Sequence, residues 1–251
     1  MAAILWEKPH ARLRMPAGRV HIWLTRVVQD PVMSPGVLSR DELERANRFK
    51  VKAAKIEFIQ ARMFLRRTLA RYLFIDPSAI RLCTSPYGKP FLEPSQNWQR
   101  LEFNLSHRDG LCLLAVTRGR RIGIDLELVR ATVEMEQIVT AYFSTTERIA
   151  YSRLRPQERL EGFTRGWTCK EAYLKAAGKG FHQSLTSFSV ELNPTLPPRI
   201  IASTGGGEED GRFKLFCFTP AENTRAAVAV EGRGTELSEW NFYQVDGETD
   251  E

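Results

Sequence analysis

The sequence predicts an α+β fold made of two similar halves, each an α+β unit. Three observations carry that expectation. A strand-like alternation of apolar and polar residues precedes a long helical stretch twice, at Arg19 to Val28 and again at Arg121 to Val129. A constant offset of 105 residues pairs Ser39 with Ser144, Glu42 with Glu147, Arg48 with Arg153, Phe58 with Phe163 and Leu69 with Leu174, which fits a duplicated unit. The chain's 251 residues, 43% of them hydrophobic, are ample for a sizeable core. Gly119 marks the boundary, giving an N-terminal half over 1–118 and a C-terminal half over 119–251, with the tail from about 240 expected to be flexible.

In the first half, Val20, Ile22 and Leu24 alternate with His21, Trp23 and Thr25, the period of a strand. Pro31, Pro35 and Gly36 break it, and Ser39 three residues before Glu42 is a capping box that opens a helix at about Arg40. Helical spacing then runs, with a break, to about Leu73. Ser85-Pro86-Tyr87-Gly88-Lys89-Pro90 is a turn by composition. Leu101 to His107 and the apolar run from Leu111 to Val116 form two strands around a short turn at Gly110.

In the second half, Ile138 to Arg165 is expected to be helical in two pieces, with Phe143-Ser144 opening one and Pro156 interrupting. Trp167 to Gly180 forms a further helix, ended by its glycines. Phe181 to Leu192, Arg212 to Phe218 and Ala226 to Val230 alternate as strands. Gly205-Gly206-Gly207 is a hairpin connection, because no Gly-Lys-Ser/Thr follows it to make a phosphate loop.

Composition narrows the function classes. A net charge of +6 favours an anionic partner, whether nucleic acid, acidic protein or phosphorylated small molecule. Cys83, Cys112, Cys169 and Cys217 are widely spaced, so neither a zinc site nor a disulfide framework is expected and the thiols should be free. The longest apolar run is far below membrane-spanning length, and the N-terminus has no secretory signal pattern. The expectation is a soluble, cytoplasmic protein with no membrane partner.

Chemistry enters at the second strand. Ile122, Ile124, Leu126 and Leu128 point one way and Asp125 and Glu127 the other, so two carboxylates project side by side. Like charges that close repel unless they are fully solvated or share a cation, and hard oxygen ligands of this kind suit Mg²⁺ or Mn²⁺. Glu171, one helical turn before Lys175, supplies a third carboxylate.

Gly123-Ile124-Asp125-Leu126-Glu127, followed some forty residues later by Trp167-Thr168-Cys169-Lys170-Glu171-Ala172-Tyr173-Leu174-Lys175, resembles the paired signature of the 4'-phosphopantetheinyl transferases, particularly the larger Sfp-type group. The family pattern is roughly G-[VI]-D-x-E and then [FW]-[STC]-x-K-E-[SA]-x-x-K, and every fixed position is matched. The likeness extends from about Val20 to Val230. It implies two halves about a pseudo-twofold axis with the active site in the cleft between them, and a metal site of Asp125, Glu127 and Glu171.

The resemblance also implies the ligand contacts. Arg48, Lys52 and Arg62 would help hold the phosphates of coenzyme A. The Gly88-Lys89-Pro90 turn would lie against the adenine, with Lys89 near phosphate. Ser106 and His107, in an Asn-Leu-Ser-His tetrad that matches the family's, would contact coenzyme A phosphate. The helices between Ile138 and Arg165 would help receive the carrier protein.

The reaction so implied is transfer of the 4'-phosphopantetheine arm of coenzyme A to a serine of an apo acyl or peptidyl carrier protein of fatty acid, polyketide or nonribosomal peptide synthesis, releasing 3',5'-ADP. Such transfer rests on alignment and on cancelling negative charge. Lys175, and less directly Lys170, would stabilise the departing phosphate; Glu127 or Glu171 would take the serine proton. The expected partners are coenzyme A and the carrier, with the enzyme a monomer and no nucleic acid bound. Two other readings remain open from the residues: a Mg²⁺-dependent nucleotide or pyrophosphate hydrolase, and a non-enzymatic basic surface for nucleic acid or acidic protein.

Overall fold

The helices after Ser39 and Ser144 and most of the strands begin where capping and alternation say they should. A computed structural model describes residues 4–28, 35–178, 184–203, 212–232 and 239–245. The triple glycine Gly205-Gly206-Gly207 and the acidic end Asp246 to Glu251 lie outside them. In the first half, β1 (Arg19–Arg26) leads to α1 (Arg40–Asn47) and α2 (Lys52–Leu73), then to the small hairpin β2 (Leu82–Thr84) and β3 (Pro90–Leu92), and to β4 (Leu101–Arg108) and β5 (Leu111–Arg118). The second half repeats the order: β6 (Ile122–Leu128), helices α3 (Met135–Tyr142), α4 (Thr145–Arg153) and α5 (Pro156–Ala177), hairpin β7 (Phe188–Val190) and β8 (Ile200–Ser203), then β9 (Phe213–Phe218) and β10 (Thr224–Glu231). A last strand, β11 (Glu239–Gln244), follows.

Two expectations are corrected in the helices. Pro156 does not interrupt a helix but opens α5, where its missing N–H is one of the donors a first turn leaves unpaired anyway. The stretch from Trp167 is therefore the second half of a 22-residue helix, which ends at Gly178 with φ of 70°. Of the strand expected from Phe181 to Leu192, residues 181–183 lie outside the described residues; the described part opens with a turn of 3₁₀ helix at Leu185–Ser187 and becomes extended as β7.

The strands form two main sheets, β11-β1-β5-β4 and β6-β10-β9. Asp109 and Gly110, both at positive φ, make the tight turn between β4 and β5. Of the tail expected to be flexible from about 240, residues 240–244 belong instead to β11, which runs parallel to β1 with Glu239 opposite Arg19 and Gln244 opposite Leu24; residues 246–251 lie outside the described residues. Glu7 joins the same edge, its N–H donating to Phe242 O at 2.9 Å. The chain's last described strand thus completes the sheet of the first half.

Period-two alternation explains the layering. Val20, Ile22 and Leu24 of β1 meet Ile122, Ile124 and Leu126 of β6 and Val228 of β10 in a core between the two sheets. The opposite face of the first sheet, with Trp23, Phe103 and Leu114, is covered by Phe64, Leu65, Leu69 and Tyr72 of α2. The outer face of the second, with Ala227 and Ala229, is covered by Cys169, Ala172, Tyr173 and Ala176 of α5. Each fully buried Leu or Phe in these layers contributes about 1.5–3 kcal/mol.

The expected capping box Ser39–Glu42 is present, a matching one forms at Ser144–Glu147, and each is tied to a long helix. Glu42, reciprocally bonded to Ser39, also receives Arg66 of α2 at 2.6 Å. Glu147, reciprocally bonded to Ser144, receives Lys170 of α5 at 2.6 Å. In both places the buried cation also donates to main-chain carbonyls further along: Arg66 to Ile80 and Lys170 to Phe188.

Candidate functional site

The site starts from the glycine of β6. A Cβ on Gly123 would stand 2.1 Å from Ala172 O and 2.4 Å from Ala176 N, so only glycine lets α5 seat this close to the strand. That approach sets Glu171 and Lys175, one turn apart, against the carboxylates of β6. Asp125 is buried and Glu127 half-buried, on the face away from the inter-sheet core.

Lys175 Nζ lies 2.6 Å from Asp125 Oδ1 and donates also to Ile124 O at 3.2 Å and Ser106 Oγ at 3.3 Å. Ser106 Oγ in turn donates to the same Asp125 oxygen at 3.3 Å. Asp125 Oδ2 and Glu171 Oε1 are buried with no hydrogen-bond partner. Glu127 is held by Arg108 at 3.3 Å and by a hydrogen bond from Trp167. Burial first, then the charge of Asp125, pushes both Glu127 and Glu171 above the ordinary carboxylate range. Lys175 and Arg108 against three carboxylates still leave negative charge in excess and two buried oxygens without donors, the setting a hard divalent cation would satisfy. Among the described residues no three acidic, His or Cys groups already stand in ligating geometry; Lys175 holds one oxygen of Asp125.

A cavity of about 530 Å³ opens beside these groups, lined by Tyr87, Gly88 and Lys89 of the β2–β3 turn, Asn104 and Leu105 of β4, and Glu171, Leu174 and Lys175 of α5. That volume suits a nucleotide-sized ligand. Gly88, at φ of 83°, makes the turn, and Ser85 O accepts from its N–H at 2.9 Å. Lys89 Nζ donates to Ile122 O at 2.8 Å and Lys175 O at 2.9 Å, so its ammonium fastens the turn to β6 and to the end of α5. Burial lowers its pKa to about 8. His107, beyond the cavity wall, pairs through Nδ1 with Glu57 of α2 at 2.9 Å. A second cavity, about 590 Å³, is lined by Arg12, Arg67, Arg71 and Phe74 and by none of the expected site residues.

Comparison with known proteins decides the family. Residues 121–230 match the model of the 4'-phosphopantetheinyl transferase superfamily, and residues 31–118 match that of the 4'-phosphopantetheinyl transferase N-terminal region. The 4'-phosphopantetheinyl transferase HetI of Nostoc sp. is 34% identical over 94% of this chain and 98% of its own. The chain belongs to the 4'-phosphopantetheinyl transferases. The transferase is also similar to the 4'-phosphopantetheinyl transferase Sfp of Bacillus subtilis, 30% identical over 62% of this chain and 67% of that one. With the human L-aminoadipate-semialdehyde dehydrogenase-phosphopantetheinyl transferase it shares 27% identity over 61% of this chain and 52% of that one. Nothing among these matches supports the hydrolase alternative, and coenzyme A is the family's substrate.

Within the transferase, the structure brings Gly88, Lys89, Pro90, Ser106, Asp125, Glu127, Glu171 and Lys175 to one region. Lys170 is a correction. Its ammonium is fully buried on the opposite side of α5, bonded to Glu147 at 2.6 and 2.8 Å and to Phe188 O at 2.7 Å, which uses all three of its donors. No donor is left for a phosphate. Arg62 is likewise engaged, stacked over Phe58 and 3.7 Å from Glu42. Arg48 and Lys52 are exposed where α1 gives way to α2, and neither lines the cavity.

Four further residues shape the site without having been given a role in it, although Asn104 and Trp167 belong to the two quoted motifs. Asn104 Oδ1 accepts from Ile124 N at 2.9 Å, joining β4 to β6 beside Asp125. Arg108 and Trp167 hold Glu127, and Glu57 holds His107. Asn104 and Arg108 flank the Ser106-His107 pair in sequence, which was a usable signal; Glu57 is far from it along the chain and carried none.

Proposed function

We propose that this transferase moves the 4'-phosphopantetheine arm of coenzyme A onto a serine of an apo acyl or peptidyl carrier protein at the carboxylate cluster of β6 and α5. The observation that carries the placement is the pair of buried, unpartnered oxygens, Asp125 Oδ2 and Glu171 Oε1, beside the Lys175 ammonium at the edge of a nucleotide-sized cavity. Asp125, Glu127 and Glu171 fit Mg²⁺, with Mn²⁺ equally suited by ligand type. Such an ion supplies charge neutralisation and polarisation of pyrophosphate oxygens.

The chain's own groups do the rest. Gly88 and Pro90 border the space for the adenine, and Ser106 and His107 face the phosphates, with Glu57 fixing the imidazole. Lys175 sits where a phosphate oxygen can displace Asp125 from its ammonium and so stabilises the leaving 3',5'-ADP. Lys89 keeps the turn closed on β6, which holds the ligand walls in register. Glu171, with one oxygen unpartnered and a raised pKa, is the better placed acceptor of the serine proton; Glu127 is restrained by Arg108 and Trp167. Arg48, Lys52 and Arg62 serve at most as a basic approach to the site, and α3 and α4 as the face toward the carrier.

The two halves, 1–118 and 119–251, are read as copies of one unit about a pseudo-twofold axis, with the site between them. The matching strand orders β1-β5-β4 and β6-β10-β9 and the twin ion pairs on Glu42 and Glu147 support that reading. Carriers of fatty acid, polyketide and nonribosomal peptide synthesis are the acceptor class, and a cytoplasmic monomer without nucleic-acid or membrane partners is the working state. No helix among the described residues is long and apolar enough to cross a membrane.

The test is intact mass of a purified apo carrier protein after incubation with the transferase, coenzyme A and Mg²⁺, with and without EDTA. A metal-dependent gain of one phosphopantetheine is expected, and Asp125→Ala should lose it while melting as a folded protein. Full turnover by Asp125→Ala would remove the carboxylate cluster from the mechanism.

A further inference from the structure

Cys169 and Cys217 stand apart from the chemistry above, yet they touch. Cys169 lies in α5 two residues before Glu171, fully buried, and Cys217 lies in β9, half-buried. Their sulfurs are 3.2 Å apart, one thiol bonded to the other. Cys217 also lines a cavity of about 30 Å³ with Glu161, Arg165, Thr168 and Arg225. A single water needs about 10–15 Å³ of such space, so the cavity holds about two water-sized molecules. It is large enough for hydrogen peroxide and far too small for a glutathione-like thiol.

We propose that Cys169 and Cys217 form a peroxide-driven oxidation site that closes to a disulfide and tethers the signature helix to β9. Cys217 is the attacking sulfur because it faces the cavity, and the hydrogen bond from Cys169 together with the nearby guanidiniums of Arg165 and Arg225 favours its thiolate. The thiolate attacks one oxygen of the peroxide, the O–O bond breaks, hydroxide leaves and takes a proton to become water, and Cys217 is oxidised to the sulfenic acid. Cys169 then attacks the Cys217 sulfur, the S–S bond forms, the S–O bond breaks, and the hydroxyl leaves as water with the Cys169 proton. The net change is two thiols and one hydrogen peroxide to one disulfide and two waters.

Geometry links this step to the site. A disulfide needs its sulfurs about 2.05 Å apart, so closure from 3.2 Å brings the two sulfurs about an ångström nearer, by side-chain rotation and by shift of α5 against β9. Glu171 and Lys175 ride on α5, and a displacement of about 1 Å in catalytic groups can cost on the order of a hundredfold in rate. Oxidation is therefore expected to slow transfer reversibly. The crosslink itself is independent of the proposed function; its effect on rate rests on that reading.

Full-length reduced protein would be exposed to hydrogen peroxide, alkylated, weighed intact and mapped by peptide mass. A loss of about 2 Da, a Cys169–Cys217 linked peptide and a fall in transfer of tenfold or more, all reversed by dithiothreitol, are expected. Cys217→Ser, or Cys217→Ala if the serine variant folds poorly, should transfer at the unmodified rate before and after peroxide and give no linked peptide. Absence of the linked peptide while other cysteines oxidise would overturn the proposal. A linked peptide with unchanged transfer would overturn its coupling to the site, and a protein inactive before oxidation would fault the functional reading while leaving the mass result intact.

Discussion

Replacing Lys170 with methionine separates a structural lysine from a phosphate ligand. The wild-type ammonium is fully buried and makes three hydrogen bonds, two of them to Glu147. Methionine keeps most of the volume but leaves the Glu147 carboxylate buried against only the N–H groups of Ser144 and Val190, each at 2.8 Å. Breaking one side of a buried pair costs about 3–5 kcal/mol. At about 2–4 °C per kcal/mol for a chain of this size, Tm should fall by about 6–20 °C. The double variant Lys170→Met/Glu147→Leu removes both charges and should recover most of the loss, short by about 1 kcal/mol for the lost capping box. Urea unfolding followed by tryptophan fluorescence gives the cycle, and KM for coenzyme A, measured well below the lowest midpoint, should be unchanged in the folded single variant. An unaltered unfolding midpoint together with a KM raised tenfold would refute the reasoning, since it would mean that the ammonium leaves Glu147 to grip phosphate.

Other perturbations address the carboxylates, the close helix–strand contact and the ligand wall. Glu171→Gln should melt higher than wild type without metal at neutral pH, because it removes a buried charge whose pKa is raised by burial and by Asp125, and it should lose the Mg²⁺-induced rise in Tm. For the same reason the metal-free wild type takes up protons in the folded state first. Its stability should increase as pH falls through the raised values of Glu127 and Glu171, down to the ordinary glutamate range, and thermal melts from neutral to mildly acidic pH would show it. Gly123→Ala forces a methyl to within 2.1 Å of Ala172 O, so stability should drop by about 1–3 kcal/mol or more and transfer with it, read by urea midpoint and carrier mass. His107→Ala should raise KM for coenzyme A with little change in Tm, since the imidazole is partly exposed and bonded only to Glu57; unchanged coenzyme A affinity would take His107 out of the site.

Local signals read well from the sequence. The Ser39 capping box, the helix opening at Ser144, the break between α1 and α2, the Gly88 turn and the outward pair Asp125 and Glu127 depend on residues within a few positions of one another, and the structure has each of them. Lys170 was misread because helical spacing says only that it faces away from Glu171. It does not say that the other face meets a capping glutamate 23 residues earlier and the carbonyl of Phe188. Pro156 reads as an interruption for a related reason: proline both ends and opens helices, and only the packing on β6 and β10 of the 22-residue helix it opens decides which. The pairing of β11 had no local signal at all. Strand alternation shows which residues share a face, never which distant strand supplies the neighbour.

That last strand bears on how the protein is made. A chain leaving the ribosome has α1, α2 and β1 through β5 available long before residues 239–244 emerge, so the nascent first sheet exposes the β1 edge that Glu239–Gln244 later covers. An open edge next to Val20, Ile22 and Leu24 is a template for pairing with another chain. Folding during synthesis therefore leaves the first half provisional until residues 239–244 are out, and a product stalled or released before them would be the species most exposed to aggregation.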